Sequence, residues 1–142
     1  MPQKIDFYIL VEKNPNSHGL FACHLIEKIF DQKHSIYLHT ESQKEAETMN
    51  QLLWTFRDDS FIPHNFYGDE KKPVPLVQIG FSKTPKHHQD ILLNFTSTVP
   101  EFFNQFKHII EIVRNDPSQQ NLARERYRIY RSHGCEINTH KL

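Results

Sequence analysis

Glycine is scarce in this 142-residue chain, four in all, and the loop after the first strand-like segment holds only Gly19. That loop has neither GxGxxG nor GxxxxGK[ST] spacing, so its backbone has no glycines with which to approach a pyrophosphate. This argues against a nucleotide-binding enzyme. Cysteine is nearly absent: Cys23 and Cys135 show no CxxC spacing, which argues against a thiolate metal site, and a reducing cytosol disfavours a disulfide between them. No apolar run approaches the roughly 20 residues that span a bilayer, and residues 1–4 open no signal-peptide pattern. The expectation is a cytoplasmic protein without membrane attachment. Net charge is absent too, 17 basic residues against 17 acidic, so global charge predicts little direct nucleic-acid binding. The ten histidines include His87-His88 but no HExxH, and no serine stands in GxSxG. No catalytic residue, metal ligand or cofactor site is expected.

What is present suits one globular domain over residues 1–142, with 37% hydrophobic residues and eleven phenylalanines for a core. Residues 5–10 read as a strand, 20–32 as a helix, and 35–39 as a second strand. Ser42 and Glu45 form a capping-box pattern opening a helix to about Trp54. Residues 58–72 read mostly as loop. Strands follow at 76–81 and 91–95, then a short helix at 100–106 and a fifth strand at 108–113. Asp116 as N-cap and Pro117 at the first helical position open the last helix, which ends before Gly134. Alternating strands and helices predict a three-layer α/β domain with a mainly parallel sheet of about five strands.

Charge is distributed unevenly. Residues 118–142 carry a net +3 and the preceding 117 a net −3. On a helical wheel Gln120, Arg124, Tyr127, Arg128 and Arg131 share one stripe, while Leu122, Ile129 and Tyr130, with Ala123 at the margin, are expected to face the core. Arg126 falls on that core side, where it must snorkel or meet a carboxylate. The stripe reads either as a solvated face or as a site for an acidic peptide, with guanidiniums for carboxylates and a tyrosine ring for an apolar slot. Trp54, and Phe61 in the loop beyond it, read as core-completing residues or as anchors of a protein interface, and the pattern favours the core.

Leu53-Trp54, Ser60-Phe61-Ile62-Pro63-His64-Asn65, Asp90-Ile91-Leu92, Leu122-Ala123-Arg124-Glu125-Arg126-Tyr127 and Tyr130-Arg131 occur in an order and spacing that resemble the chi subunit family of bacterial DNA polymerase III. Phe7-Tyr8-Ile9-Leu10 and Asn138-Thr139 fit as well. The resemblance implies a Rossmann-like α/β domain that serves as a non-catalytic adaptor: it pairs with the psi subunit, reaches the clamp loader through psi, and binds the acidic C-terminal tail of single-stranded-DNA-binding protein, which ends in Pro-Phe. By position it implies that Arg124, Tyr127 and Arg128 hold that tail with Val113 beside the pocket, and that Trp54 and Phe61 face psi. Gln120 stands where the better-known members have lysine, which implies weaker tail binding unless Arg131 compensates. The resemblance also leaves open a repair helicase as a partner for the psi-facing surface.

Overall fold

The chain runs β1 (Lys4–Ile9), α1 (Ser17–Asp31), β2 (Ile36–Thr40), α2 (Gln43–Thr55), β3 (His64–Phe66), β4 (Val77–Phe81), β5 (Ile91–Asn94), a 3-10 turn (Phe103–Gln105), β6 (His108–Val113), α3 (Pro117–Ser132) and β7 (Glu136–Lys141). It is known from a computed structural model that describes residues 3–14, 16–59, 61–69, 74–86 and 90–142. Ser60, His87 and His88 therefore lie outside the described residues. One open sheet has the order β3-β4-β2-β5-β6-β1-β7, with every adjacent pair parallel.

Parallel strands need crossover connections, and here the crossovers cover both faces of the sheet. α1 and α2 cover one face, where Ala22, Cys23 and Ile26 of α1 and Ala46, Met49 and Leu53 of α2 pack on Ile36, Leu38, Ile79, Leu93 and Ile110. On the other face Ala123 and Tyr130 of α3 cover Phe7, Ile109 and Val113. The remainder of that face is closed by aromatic rings rather than by a helix. Phe102 and Phe106 surround Tyr37 at ring separations of 6.0 and 6.5 Å, and Tyr67 meets it at 5.5 Å. Tyr37 crosses directly over Gly80, where a Cβ would sit 1.9 Å from its hydroxyl. Glycine is required there for contact, not for a turn.

Local signals set the helix ends. The Ser42 side chain accepts from the Glu45 backbone N–H at 3.2 Å, and Asp116 accepts from Gln119 at 3.2 Å ahead of Pro117. Gly134, at φ +76°, takes the left-handed conformation that ends α3.

The structure departs from the sequence reading in four places. The sheet has seven strands because β3 lies within the expected loop and β7 follows the last helix. β3 is three residues long and β7 reads Glu-Ile-Asn-Thr-His-Lys, so neither carries the apolar run that marks a buried strand; both are edge strands. The helix expected at 100–106 is reduced to a single 3-10 turn, which leaves Phe102, Phe103 and Phe106 all facing inward. α1 begins three residues early, at Ser17, without a side-chain cap. Finally, Leu122 and Ile129 are 38% and 41% exposed, because the buried stripe of α3 runs through Ala123, Arg126 and Tyr130.

Candidate peptide-binding groove

Arg126 fixes the rotation of α3. Its guanidinium is 5% exposed and donates from Nε to Glu111 Oε1 at 3.0 Å and from Nη1 to the Ser97 carbonyl at 3.2 Å. Glu111 projects from β6 with no exposed surface. Its Oε2 also accepts from the Tyr130 hydroxyl at 2.6 Å and from Asn94 Nδ2 at 2.9 Å. Burial pushes the Glu111 carboxyl above the usual carboxylate range, opposed by the Arg126 charge and by hydrogen bonds from Asn94, Tyr130 and Arg126. Tyr130 is pushed up by burial and by the Glu111 charge. With Arg126 and Tyr130 turned inward, the residues a third of a turn away stand over the sheet's β1–β7 edge.

There α3 and the edge form an open groove of about 500 Å³. All six residues proposed from the sequence line it: Gln120, Arg124, Tyr127, Arg128 and Arg131 from α3, and Val113 from the end of β6. The floor is apolar, made by Phe7, Ile9, Val113 and Ala123, with the Tyr127 ring 5.8 Å from the Phe7 ring. Two further lining residues, Thr139 and Lys141, come from β7. Sequence reasoning missed them because it missed the strand; the alternation of Ile137, Thr139 and Lys141 was the available signal. Among the described residues, four cationic side chains and no carboxylate line the groove. Arg128 is held from outside it by Glu125 at 2.5 Å, and Arg124 by Asn121 at 3.0 Å.

The β7 wall is held by a buried carboxylate on β1. Asp6 accepts from His140 Nε2 on β7 at 2.9 Å and from His108 Nε2 on β6 at 2.5 Å. Burial alone would raise the Asp6 carboxyl, but the hydrogen bonds from His140 and His108, with the charges of His108 and Lys4, hold it below the usual range. A carboxyl depressed in the fold adds stability above its unfolded value, and that contribution disappears as pH falls through the folded value. The stability difference between the native protein and Asp6→Asn is therefore expected to be largest near pH 6 and to shrink from about pH 5 downward. Urea denaturation from pH 3 to 7 measures it; a difference constant with pH would show that folding does not lower the Asp6 carboxyl.

Trp54 and Phe61 lie away from this groove. They are 42% and 70% exposed, so they do not complete the core as the pattern favoured. Their rings meet at a tilt of 42° with centroids 5.4 Å apart, and Trp54 also packs 4.2 Å from the His64 ring. His64 itself is buried between the Ile62 carbonyl, 2.7 Å from Nδ1, and the Asn50 carbonyl, 3.2 Å from Nε2. It fixes the 61–64 segment against α2 and keeps the two aromatic rings presented together.

A larger crease of about 640 Å³ runs between the start of α1 and the length of α2, reaching Ser42 and Phe95 at the carboxyl ends of β2 and β5, where α/β sheets often bind nucleotides. Its one lining glycine, Gly19, is occupied by helix contact: a Cβ there would lie 2.9 Å from Leu52. Among the described residues no group of three or more His, Cys, Asp or Glu is placed to hold a metal ion, and no helix is long and apolar enough to cross a membrane.

Comparison with known proteins covers nearly the whole chain. The family model described as DNA polymerase III chi subunit, HolC, matches residues 1–138. The chain is 32% identical to DNA polymerase III subunit chi of Pseudomonas aeruginosa, over 98% of this chain and 96% of that protein. It is 29% identical to the subunit chi of Haemophilus influenzae, over 98% and 97%, and 28% identical to that of Escherichia coli, over 94% of each. With residues from the first strand to the last within the match, the chain belongs to the DNA polymerase III chi subunit family.

Proposed function

We propose that the protein is a non-catalytic adaptor in DNA replication, which binds the acidic C-terminal tail of single-stranded-DNA-binding protein in the α3–β7 groove and pairs with psi through Trp54 and Phe61. The observation that carries the first half is the groove itself, an apolar floor rimmed by Arg124, Arg128, Arg131 and Lys141 with no carboxylate among the described residues. A peptide rich in acids and ending in an apolar residue matches that combination, since its last side chain needs a slot and its charges need cations. The cations are exposed, so binding is expected to be micromolar in order and sensitive to salt. Capture of single-stranded-DNA-binding protein with and without its last residues tests the reading. The intact protein should be retained and the truncated one lost; equal retention would exclude the groove as the tail's site.

The second half is supported by two large rings standing side by side in solvent. Surface aromatics of this kind anchor protein interfaces. Joint replacement Trp54→Ala and Phe61→Ala is expected to weaken psi binding by at least about 2 kcal/mol while changing folding stability by no more than about 1 kcal/mol. Calorimetric titration with psi and thermal unfolding of the variant measure the two effects. Unchanged psi affinity would remove these residues from that interface.

A further inference from the structure

α3 has no cation at Gln120, but the opposite wall of the groove supplies one a helical turn away. β7 pairs with β1 so that Thr139 lies beside Phe7 and Lys141 beside Ile9. The Phe7–Tyr127 ring contact fixes the height of the helix against that strand pair. α3 joins β6 to β7, which run parallel, so the helix descends as the strands climb. Two strand residues climb about 6.6 Å, which the helix covers in about four residues. Lys141 therefore stands level with Ala123 and Arg124, one turn from Gln120. Ile9 and Val113 lie in the same register row and form the floor at that level. Among the described residues the Lys141 side chain has no hydrogen-bond or ion-pair partner, so no side-chain contact must break before it takes a ligand.

We propose that Lys141 and Arg124 form the two sides of a carboxylate site, and that its ligand is the terminal carboxylate of the acidic peptide. The assignment rests on the tail-binding reading above and specifies how the ligand is oriented. In a last residue the side chain and the carboxylate share one Cα. A side chain seated on Ile9 and Val113 keeps its carboxylate at the rim directly above them, between Lys141 and Arg124. With proline next to the last residue, upstream acids begin at least two residues away, about 7 Å along an extended chain, which leads them toward Arg128 and Arg131. A lysine on a flexible stem suits a single carboxylate arriving from the open side, where a planar fork is not required. Lys141 would thus return from the sheet edge the charge missing at Gln120.

Fluorescence anisotropy with an acidic peptide ending in Pro-Phe, as the free acid and as the C-terminal amide, tests this. Amidation should weaken binding to the native protein about tenfold, as expected for loss of a charge-assisted contact. Lys141→Gln should weaken the free acid by a similar factor and leave the amide unchanged, whereas Arg131→Gln should weaken both alike. Adding Gln120→Lys to Lys141→Gln should recover most of the loss. Equal weakening of acid and amide by Lys141→Gln, or no effect on the acid, would overturn the assignment. If the native protein bound neither peptide, the tail-binding reading itself would fall and this assignment with it.

Discussion

Glu111→Ala is expected to lower folding stability by about 3–5 kcal/mol, the usual cost of removing one partner from a buried ion pair. The carboxylate accepts from Arg126, Tyr130 and Asn94, of which Asn94 Nδ2 also reaches the Thr98 carbonyl at 3.1 Å. Without it the Arg126 guanidinium stays inside the protein with only the Ser97 carbonyl, and the Tyr130 hydroxyl loses its acceptor. A domain of this size is stable by about 5–15 kcal/mol, so the loss is a large share of the total. Glu111→Leu combined with Arg126→Met should recover most of it, because the double change removes the stranded charge as well as its partner. Urea denaturation of the single and double variants gives the comparison. A loss below about 1 kcal/mol in Glu111→Ala would show that the network is not what docks α3.

The second large effect concerns binding and should leave stability untouched. Arg124→Ala is expected to reduce affinity for the acidic tail by about 1.5–3 kcal/mol, roughly ten- to a hundredfold. The thermal midpoint should not move, because Arg124 is exposed and its hydrogen bond goes to Asn121 on its own helix. The same substitution should flatten the dependence of binding on salt, since one screened charge contact is gone. Tail titrations at two ionic strengths, with a melting curve of the same sample, separate these effects. Native-like binding by the variant would remove Arg124 from the site. Together the two variants divide the labour of α3: Arg126 and its acid partner set the helix's rotation, and the arginines displayed by that rotation meet the ligand.

Much of this was legible from residues alone where the signal is local. Ser42 and Asp116 marked their helix starts, and Gly134 its end, because capping depends on groups within a few residues. The stripe from Gln120 to Arg131 was legible because a helix repeats every 3.6 residues. Other features were not local. β7 has one strongly apolar residue, Ile137, and is a strand because β1 offers a free edge beside it. With β7 unseen, Lys141 stood in the sequence as an unplaced charge. Leu122 and Ile129 looked like core by composition, yet the buried stripe includes Arg126 in their stead. The helical wheel could not weigh a carboxylate that waits 15 residues upstream on β6.

The sequence by itself determined the class of fold, the capped starts of α2 and α3, the family and five of the residues on α3 that line the groove. These follow from periodicity, caps and motif order, all carried by near neighbours in the chain. Only the tertiary structure decided which way α3 faces, that a strand after it forms the groove's second wall, and that Trp54 and Phe61 stand in solvent. Each of those depends on contacts between distant segments: Arg126 with Glu111, β7 with β1, and His64 with the α2 backbone. The physical reason is that burial selects among faces and edges only when the whole sheet is assembled, and a buried charge goes where its partner is.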